Sequence, residues 1–141
     1  MKNVFSYFKR EFKTLNRIEI SSNNLLYNYQ YLSSLNKDVK ISPVIKSNGY
    51  GHGIINMAKI LDSQNIPFFC VDSLYEAYKL QNEHFKTPIL VMGYTIPENL
   101  KFKKIPFSFA VYDIETAKVL NEFQKGCSVH IFVDTGMHRE G

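Results

Sequence analysis

A lysine that ends an apolar run, followed by closely spaced glycines, is the part of this sequence best suited to chemistry. The segment "IKSNGYGHG" (45–53) contains Lys46 and then a glycine at every second position from Gly49 to Gly53. Glycines let the main chain approach a ligand closely, and successive backbone amides at the start of a helix favour an anion such as phosphate. The segment therefore predicts a phosphate-bearing ligand beside a reactive amine. A lone lysine at this place would more simply be a solvated strand end.

The segment differs from the common phosphate-binding loops, because the chain contains neither G-x-x-x-x-G-K-[ST] nor G-x-G-x-x-G. A neutral lysine amine is a nucleophile that forms Schiff bases with aldehydes. Pyridoxal 5'-phosphate carries both an aldehyde and a phosphate. The chemistry that these residue types favour is covalent binding of that cofactor by Lys46.

The elements that must position Lys46 are short apolar runs that alternate with helix-like stretches. The predicted strands cover 17–20, 41–46, 67–71, 88–94, 107–112 and 128–134. The predicted helices cover "SSNNLLYNYQYLSSLN", "GIINMAKILDSQ", "SLYEAYKLQNE" and "DIETAKVLNEFQ". Strand midpoints are separated by roughly 20 to 25 residues, which is the length of a strand, a covering helix and two loops. This spacing predicts parallel βα units.

Two α/β architectures contain such units. An open doubly wound sheet could be complete with about five strands, whereas a (β/α)8 TIM barrel needs eight strands and roughly 250 residues. A chain of 141 residues leaves either a small open sheet or just over half of a barrel. In both architectures functional groups collect at the carboxyl ends of the strands, and the pattern places Lys46 at such an end.

Composition and charge narrow the class of protein. The chain is 45% hydrophobic and 21% charged, which is typical of a globular protein. Its net charge of +4 is not arranged in a recognition pattern with interleaved aromatic residues, so we expect no nucleic-acid partner. Cys70 and Cys127 predict neither a disulfide framework nor a metal site. The absence of a long apolar run or a secretory signal makes the cytoplasm the expected location.

The N-terminal residues predict an amphipathic helix. Apolar side chains from Val4 to Leu15 recur at spacings of three and four, with basic residues between them. Such a helix could lie on a membrane surface. Packing of its apolar face on its own domain is the favoured interpretation.

Two spaced motifs resemble the signatures of a known family. "VIKSNGYGHG" is similar to the cofactor-binding signature of the fold-type III, pyridoxal-phosphate-dependent alanine racemases, and "VDTGMHREG" (133–141) is similar to their second signature. The segments "FFCVDSLYEA" and "PILVMGYT" also resemble family segments. The resemblance implies that 17–141 forms the first part of a (β/α)8 TIM barrel. It also implies that 1–16 is an N-terminal extension and that the second half of the barrel and the C-terminal β domain are absent from this chain.

The resemblance implies roles for four residues. Lys46 would hold pyridoxal phosphate as a Schiff base and act as the acid or base on one face of the substrate α-carbon. Tyr50 would direct its hydroxyl to the cofactor phosphate. Arg139 would lie near the phenolic oxygen of the cofactor and orient the substrate carboxylate, and Met137 would line the same pocket. No metal site is expected.

The resemblance also implies groups that lie outside these residues. In the family, the second acid or base is a tyrosine from the other subunit of a homodimer, and an arginine on a later strand bonds the pyridine nitrogen. We therefore expect the 141-residue chain alone to be inactive in racemisation. Phe132 stands where many family members carry a lysine, commonly carbamylated, that steadies the arginine of the second motif.

The activity that the resemblance implies is interconversion of L-alanine and D-alanine, which would supply D-alanine for peptidoglycan. Two alternatives remain open at this point. The chain could belong to a racemase for serine. It could also be a non-catalytic pyridoxal-phosphate-binding or interaction module that keeps Lys46 and the glycine-rich segment.

Overall fold

The computed structural model describes residues 15–141. Helices and parallel strands follow one another along the chain as α1 (Ser22–Leu35), α2 (Lys46–Tyr50), α3 (Ile54–Leu61), β1 (Phe69–Val71), α4 (Leu74–Gln81), β2 (Ile89–Val91), β3 (Ser108–Val111), α5 (Ile114–Phe123) and β4 (Val129–Ile131). A 3-10 turn spans Pro97–Leu100 between β2 and β3. The predicted amphipathic N-terminal helix falls almost wholly on 1–14, outside the described residues.

The four-stranded sheet is built in chain order. β1 pairs with β2, β2 with β3 and β3 with β4, and every pair is parallel. In an open doubly wound sheet the strand order reverses at a switch point, whereas each strand of a TIM barrel lies beside the next strand in the sequence. The structure confirms the predicted α/β class with parallel strands, and the chain order favours the barrel. The sheet is not closed.

The strand predictions for 17–20 and 41–46 differ from the structure. The first is wrong, because 17–20 forms no strand in the described part of the chain, and Ile18 is 67% exposed. In the second, only Val44 bridges in parallel to Cys70. Pro43 has no N–H to donate, although its carbonyl accepts the Cys70 N–H at 3.0 Å. The chain then turns at Lys46, so the pairing cannot lengthen.

The hydrophobic core lies where α3, α4 and α5 cover β1, β2 and β3. All three residues of β1 and of β2 are buried. The largest fully buried apolar side chains are Phe69, Ile45, Ile54, Leu61, Leu80, Leu100, Leu120, Val71 and Val91. Burial of each such side chain stabilises the fold by roughly 1.5–3 kcal/mol. By contrast, α1 has no buried residue and β4 is exposed along its length.

Side-chain caps fix the point at which two helices begin after a strand. Ser73 follows β1 and accepts the Glu76 N–H at 3.3 Å, so that α4 starts at Leu74. Asp113 follows β3 and accepts the Thr116 N–H at 2.6 Å, so that α5 starts at Ile114. Each cap satisfies an N–H that the first helical turn leaves unpaired. The caps therefore hold the chain at the carboxyl ends of the strands, where Asp72 and Tyr112 lie.

Two further features bear on the class of protein. No helix in the described part of the chain is both long and apolar enough to cross a membrane. Cys70 and Cys127 are free thiols, and burial raises the pKa of each. A raised pKa leaves less of the reactive thiolate at neutral pH.

Candidate active site

Polar and aromatic side chains meet at the carboxyl ends of neighbouring strands. Lys46 follows the Val44 bridge, Asp72 follows β1, Tyr112 follows β3 and Phe132 follows β4. Because the strands are parallel, all four residues lie at one end of the sheet. This end is where the sequence pattern placed the functional groups.

The backbone after Lys46 forms a tight left-handed turn. Ser47, Asn48, Gly49 and Tyr50 have φ values of 53°, 55°, 64° and 52°. Left-handed backbone costs a residue with a Cβ roughly 1–2 kcal/mol. A turn with several such residues therefore needs hydrogen bonds that offset this cost. One of them lies within this stretch of backbone, because the Gly49 N–H donates to the Ile45 carbonyl at 2.8 Å.

Asn48 and Glu76 join this turn to neighbouring elements by further hydrogen bonds. The Asn48 side-chain oxygen accepts the Ile54 N–H at 3.1 Å, which joins the turn to the start of α3. The Asn48 N–H donates to Glu76 Oε1 at 3.0 Å, and the other oxygen of Glu76 accepts the Asp72 N–H at 3.1 Å. One carboxylate thus joins the turn that follows Lys46 to the residue that follows β1. A cleft of about 210 Å³ lies beside this junction.

Lys46 forms an ion pair with Asp72. Its Nζ lies 3.1 Å from Asp72 Oδ1, and the lysine side chain is 35% exposed. Gly93 leaves the room for this carboxylate, because a Cβ there would overlap the Asp72 carbonyl oxygen and come 3.0 Å from Asp72 Oδ1. The hydrogen bond and the negative charge of Asp72 raise the pKa of the Lys46 amine. The amine is therefore held in its protonated form more firmly than a free lysine.

Tyr50 and Arg139 both act on the charge of the Lys46 amine. After Asp72, whose hydrogen bond and charge act most strongly, burial lowers the pKa of Lys46, Tyr50 raises it and Arg139 lowers it. Lys46 is therefore electrostatically coupled to two other sequence-predicted residues. The fourth, Met137, is 76% exposed.

The aromatic residues beside the site directly follow β3 and β4. The rings of Tyr112 and Phe132 meet edge to face, with their centroids 6.0 Å apart. Burial raises the pKa of the Tyr112 hydroxyl, and the carboxylates of Glu140, Asp113 and Asp72 add to the effect. Phe132 therefore packs against an aromatic neighbour at the position where the sequence comparison expected a lysine. Among the described residues, Arg139 pairs with Glu140, at 3.9 Å between Nε and Oε2.

Asp134 organises the segment that carries Arg139. Its Oδ1 accepts the N–H groups of Gly136 and His138 at 2.9 and 3.0 Å, and its Oδ2 lies 2.9 Å from His138 Nδ1. The hydrogen bonds from His138 and Gly136 lower the pKa of the Asp134 carboxyl. Asp134 thus holds His138 through both its backbone and its side chain.

Sequence reasoning missed Asp72, Glu76 and Asp134. A signal for Glu76 was present, because "SLYE" has the S-x-x-E spacing of a capping box. Asp134 had the signal of an Asp–Thr–Gly turn. Asp72 had none, since its contact with Lys46 joins positions 26 residues apart. Within the described residues, no three His, Cys, Asp or Glu side chains lie close enough to hold a metal ion.

Comparison with known proteins gives consistent matches over most of the chain. Residues 20–141 match the family of alanine racemase N-terminal domains. Alanine racemase 1 of Caldanaerobacter subterraneus subsp. tengcongensis is 37% identical over 131 residues, which are 89% of this chain and 34% of that protein. The serine/alanine racemase of Enterococcus gallinarum is 32% identical over 125 residues, which are 87% of this chain and 18% of that protein.

Solved structures give the same result. The alanine racemase of Clostridium difficile 630 superposes with a TM-score of 0.76 at 34% identity and covers 84% of this chain and 33% of its own. The alanine racemase of Oenococcus oeni has a TM-score of 0.77 at 28% identity. The chain spans about a third of the length of the alanine racemases that it matches, at 34% of the one from Caldanaerobacter.

Proposed function

The chain belongs to the family of alanine racemase N-terminal domains, and from this premise we propose that it carries the cofactor-binding part of an enzyme that interconverts L-alanine and D-alanine. The observation that carries the proposal is the position of Lys46. Its side chain is 35% exposed at the carboxyl ends of the strands, and Tyr50 and Arg139 act on the charge of its amine. These are the residues that the two sequence signatures single out.

The donor set fits pyridoxal phosphate. Lys46 offers a primary amine to an aldehyde, Tyr50 offers a hydroxyl, and Arg139 offers a guanidinium group that suits a phosphate or carboxylate oxygen. When bound, the cofactor supplies an electron sink that acidifies the proton on the substrate α-carbon. We assign no metal to the site.

Four residues of the chain then have a role in the proposed reaction. Lys46 would hold the cofactor covalently through its amine and would move a proton at the α-carbon on one face. Tyr50 donates its hydroxyl proton in a hydrogen bond to the phosphate. Arg139 orients the substrate carboxylate, and Met137 lines the substrate pocket. Removal of a proton by Lys46 requires the neutral amine and return of a proton requires the protonated amine, so the control of its protonation belongs to the mechanism.

The proposal extends beyond the site through family membership. We assign 17–141 to the N-terminal part of the barrel domain and 1–16 to an extension before it. A homodimeric enzyme in the cytoplasm that supplies D-alanine for peptidoglycan completes the proposal. The sequence and its family resemblance support these assignments, and the geometry of the site does not bear on them.

Serine is a second candidate substrate, because one of the relatives is named a serine/alanine racemase. Exchange of the α-hydrogen for deuterium distinguishes the two amino acids. The 141-residue chain would be incubated in D2O with pyridoxal phosphate and either racemic alanine or racemic serine, because Lys46 can exchange the α-proton on one face only, and the loss of the α-proton signal followed by NMR. Faster exchange with alanine would support the first candidate, and faster exchange with serine would replace it by the second.

The experiment that tests the cofactor assignment is trapping of the lysine. The chain is titrated with pyridoxal phosphate, the absorbance is followed, and the adduct is reduced with borohydride and mapped by peptide mass spectrometry. We expect the label on Lys46 and its loss in Lys46→Ala. Lys59→Ala is the matched control, because Lys59 is also an ion-paired lysine, 3.3 Å from Glu83. Labelling spread over several lysines, or unchanged by Lys46→Ala, would overturn the assignment.

A further inference from the structure

We propose that Asp72 is a positioning residue for Lys46. Its carboxylate holds the amine as an ion pair over the strand ends, and an aldehyde must take the amine from this pair before the two can react. The inference rests on the proposed function for the identity of that aldehyde. The ion pair itself stands on the geometry of the chain.

Three features of the structure fix the position of Asp72 beside Lys46. The Asp72 N–H donates to Glu76 Oε2 at 3.1 Å, which holds the backbone of Asp72 at the start of α4. Gly93, which follows β2, has no side chain where a Cβ would collide with Asp72. The pair with Lys46 Nζ at 3.1 Å then closes the arrangement. The residues that follow β1 and β2 and the chain at Lys46 therefore position the ion pair together.

The other ionisable groups around the amine do not offer a similar partner. Tyr50 raises the pKa of Lys46 less than Asp72 does, and the positive charge of Arg139 lowers it. The Glu76 carboxylate is engaged by the N–H groups of Asn48 and Asp72. Asp72 is thus the carboxylate that pairs with Lys46.

The consequence concerns the nitrogen lone pair. In the ion pair the nitrogen carries a proton, which must leave to solvent before the lone pair can attack an electrophilic carbon. Removal of the Asp72 charge should therefore make the amine more reactive at neutral pH. The same removal should loosen the position of the amine, because no other described residue forms an ion pair with it.

Competitive acetylation of the full 141-residue chain measures this reactivity without any cofactor. The neutral amine attacks acetic anhydride, a C–N bond forms, acetate leaves, and the nitrogen loses a proton to solvent. Isotope-labelled peptide mass spectrometry gives the rate for each lysine as a function of pH. In Asp72→Asn, we expect Lys46 to react about two- to fivefold faster at neutral pH, the range for a partly exposed ion pair. The midpoint of its profile should move to lower pH.

Matched controls are available in the same chain. Lys59 should keep its profile in Asp72→Asn, whereas Glu83→Gln should change Lys59 and leave Lys46 unchanged, since Glu83 pairs with Lys59. Asp72→Glu keeps a carboxylate and should restore most of the original Lys46 profile. An unchanged Lys46 profile in a folded Asp72→Asn chain, or an equal change at all lysines, would overturn the inference.

A measurement on the unsubstituted chain covers the case in which Asp72→Asn does not fold. Salt at about 1 M shortens the screening length to about 3 Å. Under these conditions the Lys46 profile should shift to lower pH, and an insensitive profile would count against the ion pair. Borohydride trapping with pyridoxal phosphate on the same samples separates the two proposals. Trapping on Lys46 with identical acetylation profiles would overturn the role of Asp72 alone, and altered profiles without trapping would overturn the cofactor assignment alone.

Discussion

At the scale of single residues, Glu76 connects the two backbone segments on which the site depends. Its carboxylate accepts one N–H from Asn48, in the left-handed turn, and one from Asp72, after β1. The turn contains side-chain-bearing residues with positive φ, whose conformational cost has to be offset by such contacts. Glu76 therefore acts on Lys46 through the backbone and does not touch it.

Glu76→Ala tests this connection. The substitution removes two hydrogen bonds to a charged acceptor, and we expect a loss of about 1–3 kcal/mol in the free energy of unfolding. Amide hydrogen exchange followed by NMR should speed up at Asn48 and Asp72 more than at the core amides of β1. Glu115→Ala is the control, because Glu115 also lies in the first turn of a helix and its contact is an exposed pair with Lys118. Equal effects of the two substitutions on Asn48 would contradict the proposed connection.

At the scale of the elements, Asp62 connects the end of α3 to the loop before β2. Its carboxylate accepts the Thr87 N–H at 2.9 Å and the Lys86 N–H at 3.1 Å. Partial burial raises the pKa of the Asp62 carboxyl, but the hydrogen bonds from Thr87 and Lys86 outweigh this effect and lower the pKa overall. A lowered pKa in the folded state means that the unfolded state binds the proton more readily.

The pH dependence of stability follows from that sign. The contribution of Asp62 is fully present above the unfolded pKa of about 3.9 and is lost as the pH falls through the lower folded value. Thermal unfolding of the unsubstituted chain and of Asp62→Asn, measured between neutral pH and about pH 3, should give Tm curves that converge at acid pH. Asp38→Asn, at an exposed aspartate after α1, should run parallel to the unsubstituted chain. A constant offset for Asp62→Asn at all pH values would refute the linkage.

The elements also explain which parts of the fold could be predicted from the sequence. β1 and β2 are buried on both faces, so their residues form continuous apolar runs that identify them directly. Ser73 and Asp113, which immediately precede α4 and α5, are preferred capping residues. These signals are local. The strand predicted at 17–20 was wrong because nothing in a short sequence states whether a neighbouring strand exists to pair with it.

In the candidate site, too, the sequence predicted local features but not contacts between distant positions. Lys46 and the glycines after it predict a reactive amine beside a glycine-rich turn, and the motif at 133–141 indicates Arg139. The Lys46–Asp72 pair and the Asn48–Glu76 hydrogen bond join positions 26 and 28 residues apart. Such contacts depend on the order of the strands, which a single sequence does not contain. The roles of Tyr50, Arg139 and Met137 toward a cofactor remain predictions.

At the scale of the whole molecule, β4 forms an outer edge of the sheet within the described residues. Its residues Val129 and Ile131 are exposed, and Ile131 is 79% exposed, although the strand is apolar. The inner edge of β4 is paired with β3. An exposed, apolar edge strand offers unpaired N–H and C=O groups to another chain. The edge therefore predicts association of the 141-residue chain through β4.

Ile131→Lys tests the association, because a charged side chain on an edge strand opposes pairing with a second copy. Light scattering coupled to size-exclusion chromatography should give an average mass that rises with concentration for the unsubstituted chain and rises less for Ile131→Lys. Phe102→Lys adds the same charge at a side chain that is 81% exposed and lies outside the strands, between the 3-10 turn and β3, so it should associate like the unsubstituted chain. If both variants reduce the mass equally, net charge and not the β4 edge governs association. A mass that stays monomeric at every concentration would show that β4 does not pair between copies, and its apolar residues would then need another explanation.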